Sequence, residues 1–280
     1  MLDRLGAGDN AGKKVAIKAN YNSADPFPAS THPDTLSALV DFLKEKGASI
    51  VLAERSGMGN TKKVIEETGI LELSGKKGFD IVVLDDQKSG WSKVKPQGNH
   101  WKNGFLFPDV FSSADAVVQT CCLKTHRFGG HFTMSLKNSV GMVARYDSED
   151  GYDYMGELHG SRYQRQMIAE INAAYEPVFV IMDAIEGFSN GGPDKGTLIH
   201  PGILIASRDR VAVDAAGVAL LRIYGTNDEV ERGGIFEQEQ IARAAQLGLG
   251  ATSPDEIEII AINEEARDIC KKIEEKFRQT

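Results

Sequence analysis

Strand-like and helix-like segments alternate along almost the whole chain, and this alternation restricts the fold more than any other feature. KKVAIKAN (13–20) is a short β-branched run of the kind that forms a strand. A polar loop, YNSADPFPAS, leads into THPDTLSALVDFLKEKGA, where Leu36, Leu39, Val40 and Leu43 recur at helical spacing and Gly47 supplies a stop. Thr31 is suited to cap this helix, Pro33 falls in its first turn, and the helix dipole favours Asp34 there. ASIVLAERSG (48–57) reads as the next strand. Strand, helix and strand with loops of these lengths make a right-handed βαβ unit.

The alternation continues. NTKKVIEETGI reads as a helix and FDIVVLDD (79–86) as a third strand, while residues 87–112 read as an irregular excursion compatible with a hairpin. ADAVVQTCCLK (114–124) is apolar on both faces, as in the middle of a parallel sheet. TMSLKNSVGMVA suggests a helix, SEDGYDYMGELHGS a polar loop, and RYQRQMIAEINAAYE a further helix. PVFVIMDAIEG (177–187) and GILIAS (202–207) read as strands, RVAVDAAGVALLRIYG and FEQEQIARAAQLGLG as helices with glycine stops. EIEIIAI reads as a final strand before the charged helix EEARDICKKIEEKFRQT. The expected class is α/β: a mostly parallel sheet with helices on both faces, in Rossmann-like layers. Residues 1–12 form an N-terminal extension and 13–280 one α/β unit, with two lobes (13–130 and 131–280) as the alternative division.

Composition excludes several function classes. The chain has 280 residues, 41% hydrophobic and 26% charged, typical of a soluble protein with ample core. No run approaches the roughly 18 apolar residues of a membrane span, and MLDRLGAGDNAGKK lacks the apolar core of a secretory signal, so a cytoplasmic location is expected. A net charge of −8 disfavours nucleic acid as a partner but leaves room for a local basic pocket. Three cysteines make neither a disulfide framework nor a complete iron–sulfur ligand run, and Cys121 and Cys122 read as small buried residues at a strand end.

Ligands of such sheets sit beyond the carboxyl ends of the strands. Four strand ends deliver polar groups there: Lys18 and Asn20, then Glu54 and Arg55, then Lys124 and His126, then Asp183 and Glu186. In RFGGHFTMSLKN, Gly129 and Gly130 let a ligand approach the main chain. Thr133 or Ser135 near a helix start favours an anion, within reach of Lys137 and His131. A plain glycine-rich turn with a capping threonine and a surface lysine is the competing reading, and the GxxxxGK[ST] phosphate loop is absent. His32, His126, His131 and Glu186 are candidate metal ligands, with His200 on another loop, although single loop histidines more often only hydrogen-bond. Asp209 is placed to cap the helix after it. Asp214 lies among apolar residues and needs a partner if buried, with Lys18, Lys124 and Lys137 as candidates.

KVAIKANYN, STHPDTLSALVDFLKEKGA, LKTHRFGGHFTMSLKNSVG, VIMDAIEGFSNGGPDKG, SRDRVAVDAAG and AAQLGLG occur in an order that resembles the domain-of-unknown-function 362 family from about residue 13 to residue 262. The run K-x-H…T-x-S-L-K-N-x-x-G is the most specific part. Many members of that family carry a ferredoxin-like iron–sulfur segment; this chain lacks the cysteine run, so the resemblance implies a cluster on a separate ferredoxin-like partner. The pattern His, Phe, Gly, Gly and then Lys is also similar to a loop of the lactate racemase family, which holds a nickel-pincer cofactor. That likeness implies Lys137 as the anchoring lysine and His126 or His131 as a metal-ligating or proton-moving histidine.

The resulting expectation is an enzyme, of isomerase or redox-linked type, that binds a small carboxylate or phosphate substrate or cofactor at the sheet's C-terminal edge. Lys18, Lys124 and Lys137 supply positive charge, with Asn20, Gly129, Gly130, Thr133, Ser135 and Asn138 around the ligand. His126 or His131 transfers protons, and Asp183 or Glu186 orients a base or completes a metal site. Two rivals are an electron-transfer partner with Cys121 and Cys122 facing its interface, and a binding module without turnover. A homo-oligomer is compatible with all three.

Overall fold

In the computed structural model, which describes residues 1–6 and 11–279, the β-branched runs become ten strands. These are Lys14–Lys18 (β1), Ser49–Glu54 (β2), Asp80–Val83 (β3), Trp91–Val94 (β4), Phe105–Pro108 (β5), Ala116–His126 (β6), His131–Thr133 (β7), Pro177–Asn190 (β8), Thr197–Ile199 (β9) and Ile203–Ser207 (β10). Eight of them form one sheet in the order β10-β8-β6-β1-β2-β3, with β7 added to β6 and β9 to β8. The pairs from β8 through β3 are parallel, whereas β7, β9 and β10 join antiparallel. β4 and β5 make a separate antiparallel pair within the 87–112 excursion. The fold is therefore α/β around a mostly parallel sheet, and the β6–β8 pairing joins strands from both halves of the chain.

Strand periodicity sends alternate residues to opposite faces. Val15 and Ile17 pack with Leu36, Leu39, Val40 and Leu43 of the helix Pro33–Glu45. Ala16, between them, packs on the other face with Met167, Ile168 and Ile171 of Gln164–Ile171. Cys121 and Leu123 of β6 lie against the almost wholly buried helix Arg210–Ile223. Among the described residues, no helix is long and apolar enough to cross a membrane.

Several local expectations are corrected. His32, not Thr31, caps the first helix: its Nδ1 accepts the Asp34 N–H at 3.1 Å, while Thr31 Oγ1 accepts the Asn20 N–H at 2.9 Å and ties the loop to the end of β1. Gly69, at φ 75°, divides the second helical segment into Thr61–Glu67 and Ile70–Lys77. TMSLKNSVGMVA holds only one helical turn, Ser135–Asn138, and a 3₁₀ turn, Ser139–Met142. The Gly/Tyr loop contains the helix Tyr154–Gly160, capped by Asp153 through the Gly156 N–H. EIEIIAI is not a strand: Ile257 and Ile259 lean on the core while Ile260 and Ile262 are exposed, so its alternation reflects an extended segment resting one-sidedly on helices. Of the N-terminal extension, Leu2–Leu5 is a 3₁₀ turn and residues 7–10 lie outside the described residues.

Asp209 caps its helix as expected, accepting the N–H groups of Val211 at 2.7 Å and Ala212 at 3.0 Å. It also accepts the Ala251 N–H at 2.6 Å, which ties in the segment after Glu239–Gln246. Asp209→Ala is therefore expected to cost about 1–2 kcal/mol or slightly more in a urea unfolding experiment, at the upper end for a helix cap.

Candidate functional site

The carboxyl ends of β1, β2 and β6 open into a cleft of about 580 Å³. Lys18 and Glu54 meet at its floor at 2.6 Å, with 2% and 1% of their side chains exposed. Lys18 Nζ also donates to the Ala19 carbonyl at 2.5 Å, and Glu54 accepts the backbone N–H groups of Tyr21 at 3.2 Å and Arg55 at 2.9 Å. Burial pulls the Lys18 pKa down and pushes that of Glu54 up, while the charge of each partner opposes the change. We take the pair as ionised, because short contact and two amides stabilise the carboxylate. Arg55 donates to the carbonyls of Val143 and Val140, each at 2.7 Å, and burial lowers it to about 10.

Lys124 Nζ donates to Asn20 Oδ1 at 3.0 Å and to the Ala29 carbonyl, which leaves one of its three N–H groups over. Lys137 is different. Only 8% of it is exposed, and among the described residues its ammonium has neither a hydrogen-bond acceptor nor a carboxylate partner. Burial, followed by the charges of Lys124 and Arg55, lowers it to about 8. Beside it, His126 Nδ1 accepts the Gly130 N–H at 3.3 Å, so the proton of the neutral ring is assigned to Nε2. Burial and the Lys137 charge hold His126 well below the usual histidine range. A Cβ on Gly130 would sit 2.7 Å from Lys137 Cε and 2.8 Å from His126 Nδ1, so glycine is what lets both side chains occupy this corner.

The turn that carries Lys137 is held from below. Asp214 accepts the N–H groups of Ser135 at 2.7 Å and Leu136 at 3.1 Å. The amides expected to receive an external anion are thus taken by an internal carboxylate, and Asp214 finds its partners in the main chain rather than in a lysine. Burial raises Asp214 to about 7, with those two amides opposing the rise. Ser135 Oγ meets Gln119 at 3.3 Å beneath the cleft. Asn138 lines the cleft and donates to the carbonyls of Lys18 at 3.4 Å and Thr120 at 3.3 Å.

Lys18, Asn20, Lys124, His126, Thr133, Lys137 and Asn138 therefore share one cleft. The remaining candidates do not join them. Gly129 turns its carbonyl to Arg165, and Gly130 lies behind Lys137 and His126. His131, the first residue of β7, has the left-handed φ of 60° and lies near Arg165 and Glu239. Asp183 is fully buried, bound by the Thr35 hydroxyl at 2.5 Å and the Ile185 N–H at 3.1 Å. Glu186 pairs with His200 at 3.3 Å and lines a second cleft with His32. Asp183 is still in register, opposite Cys122, and is taken up by Thr35 of the first helix. Beyond it the register shifts, so that Leu123 faces Gly187 and Ala184, Ile185 and Glu186 loop out of the ladder with β6.

The metal candidates are thereby dispersed, and among the described residues no three His, Cys, Asp or Glu side chains gather as ligands. The donor set does not fit a histidine-held metal. Cys121 and Cys122 are 0% exposed, and burial pushes the Cys122 thiol up to about 11, so neither faces an interface. Sequence reasoning passed over Arg145 and His159, which also line the cleft. The signal for His159 was present in the Asp153 cap and the Tyr154/Leu158 spacing of its helix. In all, the lining carries five cationic side chains (Lys18, Arg55, Lys124, Lys137, Arg145) against the carboxylates of Glu54 and Asp153.

A family model described as a domain of unknown function, DUF362, matches residues 15–219. The thylakoid-associated protein sll1697 of Synechocystis sp. is 25% identical over 233 residues, or 80% of this chain and 68% of that protein. The lactate racemase apoprotein of Thermoanaerobacterium thermosaccharolyticum is similar at 17% identity with a TM-score of 0.42, covering 74% of this chain and 48% of that one. The chain thus spans about half the length of that racemase.

Two measurements check the electrostatics. Glu54→Ala strands the Lys18 charge and is expected to cost about 3–5 kcal/mol of unfolding free energy, part of which Lys18→Met/Glu54→Leu recovers. Asp214 binds its proton more tightly folded than unfolded, so its contribution is present at low pH and lost as pH rises from 3.8, its ordinary value, to about 7. Relative to Asp214→Asn, the wild type should lose stability across that window, by at most about 1.4 kcal/mol per pH unit. A difference that stays flat from pH 4 to 7 would rule this out.

Proposed function

The chain belongs to the DUF362 family, and from that premise and the charge of the cleft we propose that it is an enzyme binding a small carboxylate or phosphate compound at the ends of β1, β2 and β6. The observation that carries this reading is the unpartnered Lys137 ammonium, buried among other cations. Such a charge is costly to hold without a counter-ion. A ligand anion removes that cost, and the binding energy is correspondingly favourable. The remaining Lys124 N–H and the His126 Nε2–H are the donors that orient the anion.

The same surroundings divide the acid–base roles. His126 is kept neutral and serves as a hydrogen-bond donor, whereas Lys137, at about 8, is the group that exchanges a proton near neutral pH. The reading is thus of a proton-transfer enzyme, with Lys137 taking the role that the sequence suggested for a histidine.

Calorimetric titration with oxalate and with inorganic phosphate tests it. Lys137→Met is expected to weaken binding roughly 10- to 150-fold, the loss of one charge-assisted hydrogen bond. The variant should also be at least as stable as the wild type at pH 7. Lys137 is lowered from 10.5 to about 8, so the wild type gains stability as pH rises through that interval and the two converge above it. Unchanged anion binding in Lys137→Met would refute the proposal; tight binding with no turnover of any anion would leave a binding module.

A further inference from the structure

The three cleft lysines differ in what engages them. Lys18 is held by Glu54 at 2.6 Å and Lys124 by Asn20 at 3.0 Å and the Ala29 carbonyl. Lys137 has no acceptor among the described residues, is 8% exposed, and faces cations rather than a carboxylate. A lysine stripped of water beside other cations is the arrangement that yields an unprotonated, nucleophilic amine. At about 8, roughly a tenth of it is free amine at pH 7.

The neighbouring geometry suits attack on a carbonyl. Lys137 Cε and His126 Nδ1 both lie within 3 Å of the position a Cβ of Gly130 would occupy, so the imidazole and the end of the lysine chain share one corner of the cleft. With Nδ1 occupied by the Gly130 N–H, the Nε2–H of His126 is the donor left to polarise a carbonyl oxygen. The spare Lys124 donor lies in the same cleft for an anionic group. With amine and both donors lining one cleft, the arrangement suits a compact ligand whose anion adjoins its carbonyl.

We propose that Lys137 forms an imine with a small 2-oxo acid, an inference that rests on the anion-binding reading of the cleft. The Nζ lone pair attacks the carbonyl carbon, the C–O π pair moves to oxygen, and a nitrogen proton passes to that oxygen to give a carbinolamine. The nitrogen lone pair then expels the hydroxyl group, which leaves with one proton as water. Overall, ammonium and carbonyl become iminium and water, with no oxidant or reductant consumed. The iminium keeps a positive charge where the ammonium was, so the carboxylate remains paired.

Pyruvate followed by sodium borohydride reduces such an imine to a stable secondary amine, which intact-mass measurement and peptide mapping locate. Labelling is expected to concentrate at Lys137 at least about tenfold over surface lysines, to be half-maximal near pH 8, and to be competed by oxalate. Lys137→Arg, checked for folding by circular dichroism, should abolish the site-specific label; if that variant does not fold, mapping on the wild type decides alone. Oxalate binding without label at Lys137 overturns the imine and leaves the anion site standing. Absence of both oxalate binding and label overturns both. Label spread evenly over surface lysines also overturns the imine.

Discussion

The buried carboxylate of Asp214 is the contact on which the site depends. By accepting the Ser135 and Leu136 amides it anchors the turn carrying Lys137 to the helix Arg210–Ile223. Asn172 holds the other side of that turn, donating to the Leu136 carbonyl and the Ser139 hydroxyl, each at 3.0 Å. Asn138 fastens its end to the carbonyls of Lys18 and Thr120. Three sets of hydrogen bonds thus fix the turn, and none of them is made by the Lys137 side chain. A buried charge can stay unpartnered only where its surroundings are determined without it.

The fold was legible wherever one force set the pattern. Val15, Ile17 and the leucines of Pro33–Glu45 obey simple periods because one face of each element meets the core. β6 read as a central strand because all eleven of its residues are buried. EIEIIAI misled because alternation records one-sided burial, and helices can provide the covered side as well as a sheet can. The helix expected in TMSLKNSVGMVA was cut short because Asp214 and Asn172, distant in sequence, supply the bonds that a longer helix would have made internally. Thr31 gave way to His32 as cap because the end of β1 needed the hydroxyl.

The site was legible to the extent that parallel strands fix where their ends go. Lys18, Lys124 and His126 could be placed together on that rule alone, and Lys137 by its distance along the turn. Asp183 and Glu186 obeyed the same rule in the sequence but not in space: Asp183 is taken up by Thr35 of the first helix, and Glu186 follows a register shift, which is decided by pairing and leaves no signal in either strand. Nor could spacing tell an occupied lysine from an unoccupied one. That difference lies in which acceptors arrive from remote segments: Glu54 for Lys18, Asn20 and Ala29 for Lys124, none for Lys137.

The looped-out residues of β8 have a consequence at the margin of the sheet. Before the loop, β8 is flanked on its outer side by β10, which pairs with Val180 to Ala184; beyond it, β9 pairs with Gly187, Phe188 and Asn190. A fourteen-residue strand with one short neighbour would leave its far half with open backbone donors and acceptors, a template for another chain. Changing partners at the loop closes that half, and the outermost positions fall to β10, β9 and β3, of five, three and four residues. The irregularity that removes Glu186 from the cleft thus also guards the protein against edge-to-edge association.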